Sequence, residues 1–171
     1  MIVTERLWMR PLCVADAEFV LRLTKEPAFI ENIGDKRLRH KKDAETFLTR
    51  GVWTNQPIPG YGQFLVLRKE GDIPVGVCGL LYREMLHITD VGFAFHSDYW
   101  GHGYASEAAK AVLLYGQQQL GIEEIFGLTG RENLRSIRVL ESLGMRFFRE
   151  VFLGFQEAVL LYGYPKEPTS L

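Results

Sequence analysis

The sequence predicts an α+β or mixed α/β fold in a single domain. Its 171 residues are close to the usual size of one domain, and 47% of them are hydrophobic, which is enough for a sizeable core. The predicted strands of the first half follow one another as a meander. The second half alternates strand, helix, strand, helix and strands, a pattern that packs helices against a sheet.

The elements of the first half are predicted from the spacing of their apolar side chains. In chain order they are a strand at 3–10, helices at 15–23 and 42–52, a hairpin of strands at 64–67 and 75–80, and a strand at 87–95. A charged loop at 35–42 precedes the second helix, and Glu70-Gly71-Asp72 supplies the hairpin turn.

The second half contains the clearest helix, predicted over 103–120. Its small residues Ala108, Ala109 and Gly116 keep one face and let the helix lie close to a sheet, and Gly121 ends it. The remaining predicted elements are a strand at 122–128, a helix at 134–143 capped by Asn133 and closed by Gly144, and strands at 145–152 and 157–164.

The composition argues against partners that are recognised by overall charge. The chain carries 20 basic and 21 acidic residues, a net charge of −1, which predicts neither nucleic acid nor a membrane as partner. The longest apolar run, at 75–82, is far too short to span a bilayer. The two cysteines and four histidines show no ligand spacing, so no metal is predicted. Cys13 and Cys78 lie among apolar residues, which predicts buried free thiols and a cytoplasmic location.

The most informative feature is the glycine turn Gly101-x-Gly103 directly before the long helix. A helix N-terminus presents unpaired N–H groups, and glycines let an anion approach the backbone, so this turn predicts an anion site. A dinucleotide-binding turn is disfavoured because Ser106 stands in place of its third glycine. A P-loop is disfavoured because no Lys-Ser/Thr follows the glycines.

The run from Asp98 to Ala108 resembles the acetyl-CoA signature of the Gcn5-related N-acetyltransferases (GNAT family). The family pattern Gln/Arg-x-x-Gly-x-Gly/Ala falls on Trp100, Gly103 and Ala105. Tryptophan in the first place departs from the general pattern and is typical of the ribosomal-protein N-terminal acetyltransferase branch (RimJ/RimL-like).

Two further motifs carry the same resemblance. Thr4-Glu5-Arg6-Leu7 with Met9-Arg10-Pro11 is similar to the first strand of that branch. Asn133-Leu134-Arg135-Ser136 with Leu140-Glu141-Ser142-Leu143-Gly144-Met145 resembles its second motif helix. The resemblance covers almost the whole chain, because the three motifs occur in the family's order and spacing.

The resemblance implies a GNAT fold, a mixed and largely antiparallel twisted sheet that is splayed at its centre and flanked by helices, in one domain over 1–171. It implies an N-acetyltransferase that moves an acetyl group from acetyl-CoA directly to a primary amine, either a protein N-terminus or a small molecule, as a monomer or homodimer. One alternative is a non-catalytic acyl-CoA-binding sensor or scaffold. Another is a nucleotide- or nucleic-acid-binding α/β domain.

The same resemblance assigns the cofactor contacts. Backbone amides of the turn would hold the pyrophosphate, the splayed strand would pair with the pantetheine arm, and Asn133 would contact that arm besides capping its helix. These cofactor-binding residues are Phe93, Ala94, Phe95, Trp100, Gly101, His102, Gly103, Tyr104, Ala105, Ser106 and Asn133. Gly92 is the expected bulge in the splayed strand. His102 has two open interpretations, a bond to phosphate or a side chain in solvent.

The catalytic assignments depend on one departure from the family. Many relatives protonate the thiolate with a tyrosine whose place is taken here by Leu140, so Ser136 is the expected proton donor. Asp90 is the expected general base for the amine, with Glu84 and Glu157 as weaker candidates.

Two further groups of residues have possible roles in recognition. The basic run at 36–42 is either a solvated loop or an attractor for an acidic substrate or a phosphate. Some of a scattered set of aromatic residues are expected to line the acceptor groove: Trp53, Tyr61, Phe152, Phe155, Tyr162 and Tyr164.

Overall fold

The computed structural model describes residues 1–51, 53–54, 56–154 and 158–164. Within these ranges the chain forms eight strands and five α-helices. The strands are β1 (Ile2–Val3), β2 (Leu7–Pro11), β3 (Gly62–Arg68), β4 (Ile73–Arg83), β5 (Ile88–Phe95), β6 (Ile125–Thr129), β7 (Arg146–Val151) and β8 (Val159–Gly163). The helices are α1 (Ala17–Thr24), α2 (Pro27–Ile33), α3 (Lys41–Thr49), α4 (Tyr104–Gln119) and α5 (Leu134–Ser142).

The strands form a single sheet in the order β1-β2-β3-β4-β5-β6-β8-β7. Every neighbouring pair is antiparallel except β5 and β6, which are parallel. Parallel neighbours need a crossover connection, and α4 supplies it. The mixed, largely antiparallel sheet that the sequence predicts is therefore confirmed.

The sheet is splayed between its two central strands. β5 and β6 share only two residue pairs, Thr89 with Ile125 and Asp90 with Phe126. Beyond them, Gly127–Thr129 pair with β8, while the rest of β5 pairs with β4 alone. From Val91 onward, one edge of β5 thus lacks a neighbouring strand among the described residues.

The predicted bulge at Gly92 is wrong. Gly92 stands opposite Gly79 of β4, and that pairing has no register shift. The gap opens after Asp90 and Phe126, the last pair between β5 and β6, while β5 keeps an unbroken register with β4. The absence of a side chain at Gly92 instead makes room for the side chain of Gln63.

Two apolar cores lie on opposite faces of the sheet, as the alternation of side chains along each strand requires. Phe64 and Val66 of β3 join the core beneath α4, and Leu65 and Leu67 join the core beneath α1 and α3. Gly116 lets α4 approach closely, since an added Cβ would lie 2.7 Å from Ile125 and 2.8 Å from Leu80. The α4 face therefore carries the turn, and the opposite face is covered by the early helices.

Three details of the first half differ from the sequence prediction. The chain forms α2 (Pro27–Ile33), which is absent from the prediction although proline at the first helical position is a recognised start signal. The predicted strand at 3–10 is two strands, β1 and β2. Cys13 is exposed and only Cys78 is buried, because Cys13 follows the end of β2 in a turn.

None of the helices in the described ranges is long and apolar enough to cross a membrane.

Candidate functional site

Two cavities meet at the splay. The first, of about 430 Å³, lies along the glycine turn and the end of β5, and the second, of about 510 Å³, lies along β5 from Asp90 to Ala94. Residues of α2, β5, β6 and α5 line both: Phe29, Asn32, Ile33, Phe93, Ala94, Leu128, Thr129 and Ser136. A ligand in one cavity can therefore reach a ligand in the other at the point where β5 leaves β6.

The first cavity is bordered by the glycine turn. Gly101 has φ +79° and Gly103 has φ +78°, a conformation that disfavours any other residue. Gly103 directly precedes α4, whose first backbone N–H groups have no partner within the helix. The turn and first helical residues line the cavity at Trp100, Gly101, Gly103, Tyr104, Ala105 and Ser106. This arrangement is suited to a bound anion.

Trp100 ties the turn to two other elements. Its indole Nε1 donates to the Phe95 carbonyl at 2.8 Å, and the Arg135 guanidinium lies 4.4 Å from the centre of its ring. Arg135 and Arg138 of α5 both line the first cavity. Two cations beside a helix N-terminus increase its affinity for a polyanion, and the sequence alone indicated neither arginine.

His102 is the one residue of the predicted cofactor set that does not line the first cavity. Its Nδ1 lies 2.9 Å from the Trp100 carbonyl oxygen, and its ring stacks on Tyr104 with a centroid separation of 5.6 Å. The ring is thus held on the outer side of the turn. This geometry favours the second of the two interpretations, a side chain directed to solvent.

Glu107 fastens the turn to the start of the chain. Its carboxylate accepts from Thr4 Oγ1 at 2.6 Å, from the Arg6 backbone N–H at 2.9 Å and from Arg6 Nε at 2.7 Å. Arg6 Nη1 also donates to the His102 carbonyl at 2.8 Å. Burial opposes ionisation of Glu107, but the bonds from Thr4 and Arg6 outweigh it and lower its pKa. The Thr4-Glu5-Arg6-Leu7 motif therefore acts as a clamp on the turn.

The start of α5 places Ser136 at the junction of the cavities. Asn133 caps the helix, its Oδ1 accepting from the Ser136 N–H at 3.2 Å. The Ser136 hydroxyl makes no hydrogen bond to any residue that the structure describes, so it is free to act on a ligand. Leu140 is 1% exposed and packs where a Cβ on Gly127 would stand, so this position belongs to the core.

A buried ion pair lies in the wall of the second cavity. Arg83 Nε is 2.5 Å from Asp90 Oδ1, and Arg83 Nη2 is 3.2 Å from Asp90 Oδ2. Asp90 is 1% exposed, and this burial raises its pKa although Arg83 acts in the opposite direction. Glu84 is exposed on the rim. Glu157 and Phe155 lie outside the described residues.

Gln63 occupies an indentation in the face of the sheet. It stands in one row with Gly79 of β4 and Gly92 of β5. Its amide Nε2 is 3.0 Å from the place where a Cβ on Gly92 would stand, so the glycine makes room for it. Gln63 is 6% exposed and lines the second cavity, yet its Oε1 has no hydrogen-bond partner among the residues that the structure describes. Nothing in the sequence singles out this residue, because its environment depends on strand register.

Some residues of the basic run at 36–42 fit a solvated loop, and one fits a role in attracting an anion. Lys36 lines the second cavity, whereas Arg39 pairs with Asp35 at 2.6 Å and Lys42 pairs with Glu45 at 3.7 Å on the surface. Of the aromatic residues expected at the acceptor groove, Trp53 lines this cavity. The described residues contain no cluster of three His, Cys, Asp or Glu side chains that could hold a metal ion.

Comparison with known proteins gives a consistent result. A family model described as "Acetyltransferase (GNAT) domain" matches residues 6–146. The uncharacterised N-acetyltransferase YnaD of Bacillus subtilis is 28% identical over 87% of this chain and 86% of its own length. An acetyltransferase structure from Bacillus anthracis has a TM-score of 0.77 at 27% identity, covering 95% of both chains. A spermidine N-acetyltransferase of Vibrio cholerae, in complex with CoA and spermine, has a TM-score of 0.74 at 14% identity, covering 94% of this chain and 95% of its own, a likeness of fold alone.

The Glu107 clamp generates a prediction about cofactor affinity. Glu107→Gln removes the charge that Thr4 and Arg6 bind, which loosens the turn without altering any group that lines the first cavity. We expect the dissociation constant of acetyl-CoA to rise about ten-fold, the usual effect of losing one charged hydrogen bond. Isothermal titration calorimetry measures this change. Glu18→Gln, which removes an exposed pair with Arg22 on α1, is the matched control. Equal affinities for both variants would show that the clamp is irrelevant to binding.

Proposed function

The chain belongs to the GNAT acetyltransferase family and is an acetyltransferase enzyme, and from this premise we propose that it transfers the acetyl group of acetyl-CoA directly to a primary amine. The observation that carries the proposal is the position of Ser136, whose free hydroxyl borders both cavities beside the unpaired edge of β5. Two cavities that meet at one proton donor fit a reaction between two bound substrates without a covalent enzyme intermediate.

The first cavity fits acetyl-CoA by its chemistry. Its turn offers unpaired amides at a helix N-terminus, and Arg135 and Arg138 add positive charge suited to the phosphates. The free edge of β5 offers backbone groups to an extended pantetheine arm, as an added strand would use them. Asn133 lines the same cavity and supplies a polar side chain at its inner end.

The chain's own groups then account for each proton. Acetyl-CoA supplies a thioester, whose C–S bond breaks as the new C–N bond forms. A backbone N–H on the free edge of β5 stabilises the negative charge that develops on the carbonyl oxygen. Ser136 donates its proton to the departing sulfur. Asp90, acting through water, takes the proton that the amine loses.

We further propose that the enzyme belongs to the RimJ/RimL-like branch, with a protein N-terminus or a small molecule as acceptor. The proposal is supported by Trp100 and Ser136, the two residues typical of that branch, which both line the first cavity. Trp100 holds the turn through its contacts with Phe95 and Arg135. Ser136 lies one helical turn before Leu140, a buried residue that takes the place of the family's tyrosine donor.

Substitution of Ser136 separates catalysis from binding. Ser136→Ala removes the proton donor, so we expect kcat to fall about 100-fold, the lower range for general acid catalysis, with acetyl-CoA affinity nearly kept. Ser136→Thr retains a hydroxyl and is expected to retain most of the turnover. Labelled acetyl-CoA with a panel of peptides, polyamines and small amines provides the assay. Tight acetyl-CoA binding without acetylation of any amine would instead favour a sensor or scaffold.

The raised pKa of Asp90 predicts the acid side of the pH profile. Catalysis needs the ionised carboxylate, so kcat/KM should rise with pH through a pKa above the ordinary value of aspartate. Arg83→Gln removes the charge that favours ionisation of Asp90, so the pKa should rise further and the acid limb should move to higher pH.

Profiles of kcat/KM against pH, measured with two acceptor amines of different basicity, distinguish the acid limb of Asp90 from the titration of the acceptor amine. The Asp90 limb stays in place when the acceptor changes, whereas the limb of the amine moves with its pKa. An acid limb that persists in Asp90→Asn would exclude Asp90 as the base.

A further inference from the structure

The second cavity contains a cation without a counter-ion. Lys36 lies partly buried in its wall and makes neither an ion pair nor a hydrogen bond with any residue in the described ranges. Burial lowers its pKa, and the nearby charge of Arg83 lowers it further. The buried carboxylate of this wall cannot compensate, because both oxygens of Asp90 are bound by Arg83. Glu84, the other described acid in this wall, is exposed to water.

The same cavity contains an acceptor atom without a donor. The Oε1 of Gln63 is buried and unpaired, and its amide lies beside Gly92, next to the Phe93 backbone at the splay. A buried polar atom without a partner costs about 1–3 kcal/mol, so such atoms in native proteins usually meet a ligand or water. Gln63 lines the second cavity, so a rotation of its amide brings Oε1 to an amine that can donate the missing hydrogen bond.

From these two observations, and on the basis of the proposed function, we propose that the acceptor is a primary amine that also carries an anionic group. The amine docks at Gln63, and the anionic group pairs with Lys36. A carboxylate or phosphate gives Lys36 the counter-charge that it lacks. A polyamine brings a second cation toward Lys36 and Arg83, and like charges in a partly buried site are repelled.

The two docking points are well separated along β5. Lys36 lies near Arg83, which holds Asp90, and Gln63 lies against Gly92, two residues further along β5, a separation of about 7 Å at 3.3 Å per residue. The carboxylate of an α-amino acid lies too close to its own amine to span this distance. The acceptor is therefore either a longer amino acid or a peptide with an acidic side chain near its N-terminus.

Matched acceptors test the charge preference directly. The purified chain is assayed with two series of equal carbon number, ω-amino acids and α,ω-diamines, in lengths that bracket the separation of the docking points. We expect kcat/KM to favour the ω-amino acid about ten-fold at the matching length, as one ion pair of 1.4 kcal/mol would give. Tripeptides with a free α-amine and Glu, Gln or Lys at the third position distinguish a peptide acceptor from a small molecule.

Variants of Lys36 assign the preference to that residue. Lys36→Met should abolish the preference, and Lys36→Glu should reverse it. Lys42→Glu is the matched control, since it makes the same charge change in the same basic run but lies on the surface, paired with Glu45. Gln63→Leu should raise KM for both series equally and leave their ratio unchanged. It should not lower Tm, because it removes an unpaired buried polar group.

The outcomes distinguish this inference from the proposed function. A wild-type preference for diamines, or a ratio that Lys36→Glu leaves unchanged, overturns the anionic acceptor while the measured acetylation supports the acetyltransferase. An unchanged KM in Gln63→Leu overturns the docking of the amine. If acetyl-CoA binds but no acceptor is acetylated, the proposed function fails, and the acceptor class fails with it.

Discussion

The structure depends on the loss of pairing between β5 and β6 after two residue pairs. Buried backbone N–H and C=O groups need partners, and beyond these two pairs β6 has a paired strand, β8, only on its far edge. The matching edge of β5 has no such neighbour in the described chain. Closing this gap would give a continuous sheet, but it would remove both the cavity for an extended ligand arm and the donor for a developing oxyanion. The gap is thus a feature that the rest of the fold has to keep open.

Several contacts around the gap hold its borders in place. Glu107 ties the glycine turn to Thr4 and Arg6, and Trp100 ties it to the last residue of β5. On the side of α2, the Glu26 carboxylate accepts from the Ser97 backbone N–H at 3.0 Å and from its hydroxyl at 2.8 Å. The contacts of Glu107 and Glu26 join segments that are distant in sequence. Together they fix the amides before a ligand arrives, which is the condition under which such dipoles are most effective in catalysis.

Most of the first cavity could be predicted from the sequence, and most of the second could not. The turn, α4 and the start of α5 are continuous segments whose glycines, caps and apolar spacing are visible in the sequence, and all three lie where they were expected. Gln63 and Gly92 become neighbours only through the register of β3, β4 and β5. Lys36 is one of several cations in the basic run at 36–42, and only the folded structure shows that it lines the second cavity. The prediction omitted α2, which helps to enclose both cavities.

The charges of the second cavity bear on one difficulty of the reaction. An amine with a pKa of about 8–10 is mostly protonated at neutral pH and cannot attack a thioester. Apart from Glu84, which is exposed to water, Arg83, Lys36 and Asp90 leave one positive charge in the wall, and like charge favours the neutral form of a neighbouring amine. Burial also makes Asp90 a stronger base than a solvated aspartate, because it raises its pKa. The cations that would hold an anionic acceptor therefore also assist loss of its proton, so substrate choice and activation of the nucleophile have a common electrostatic origin.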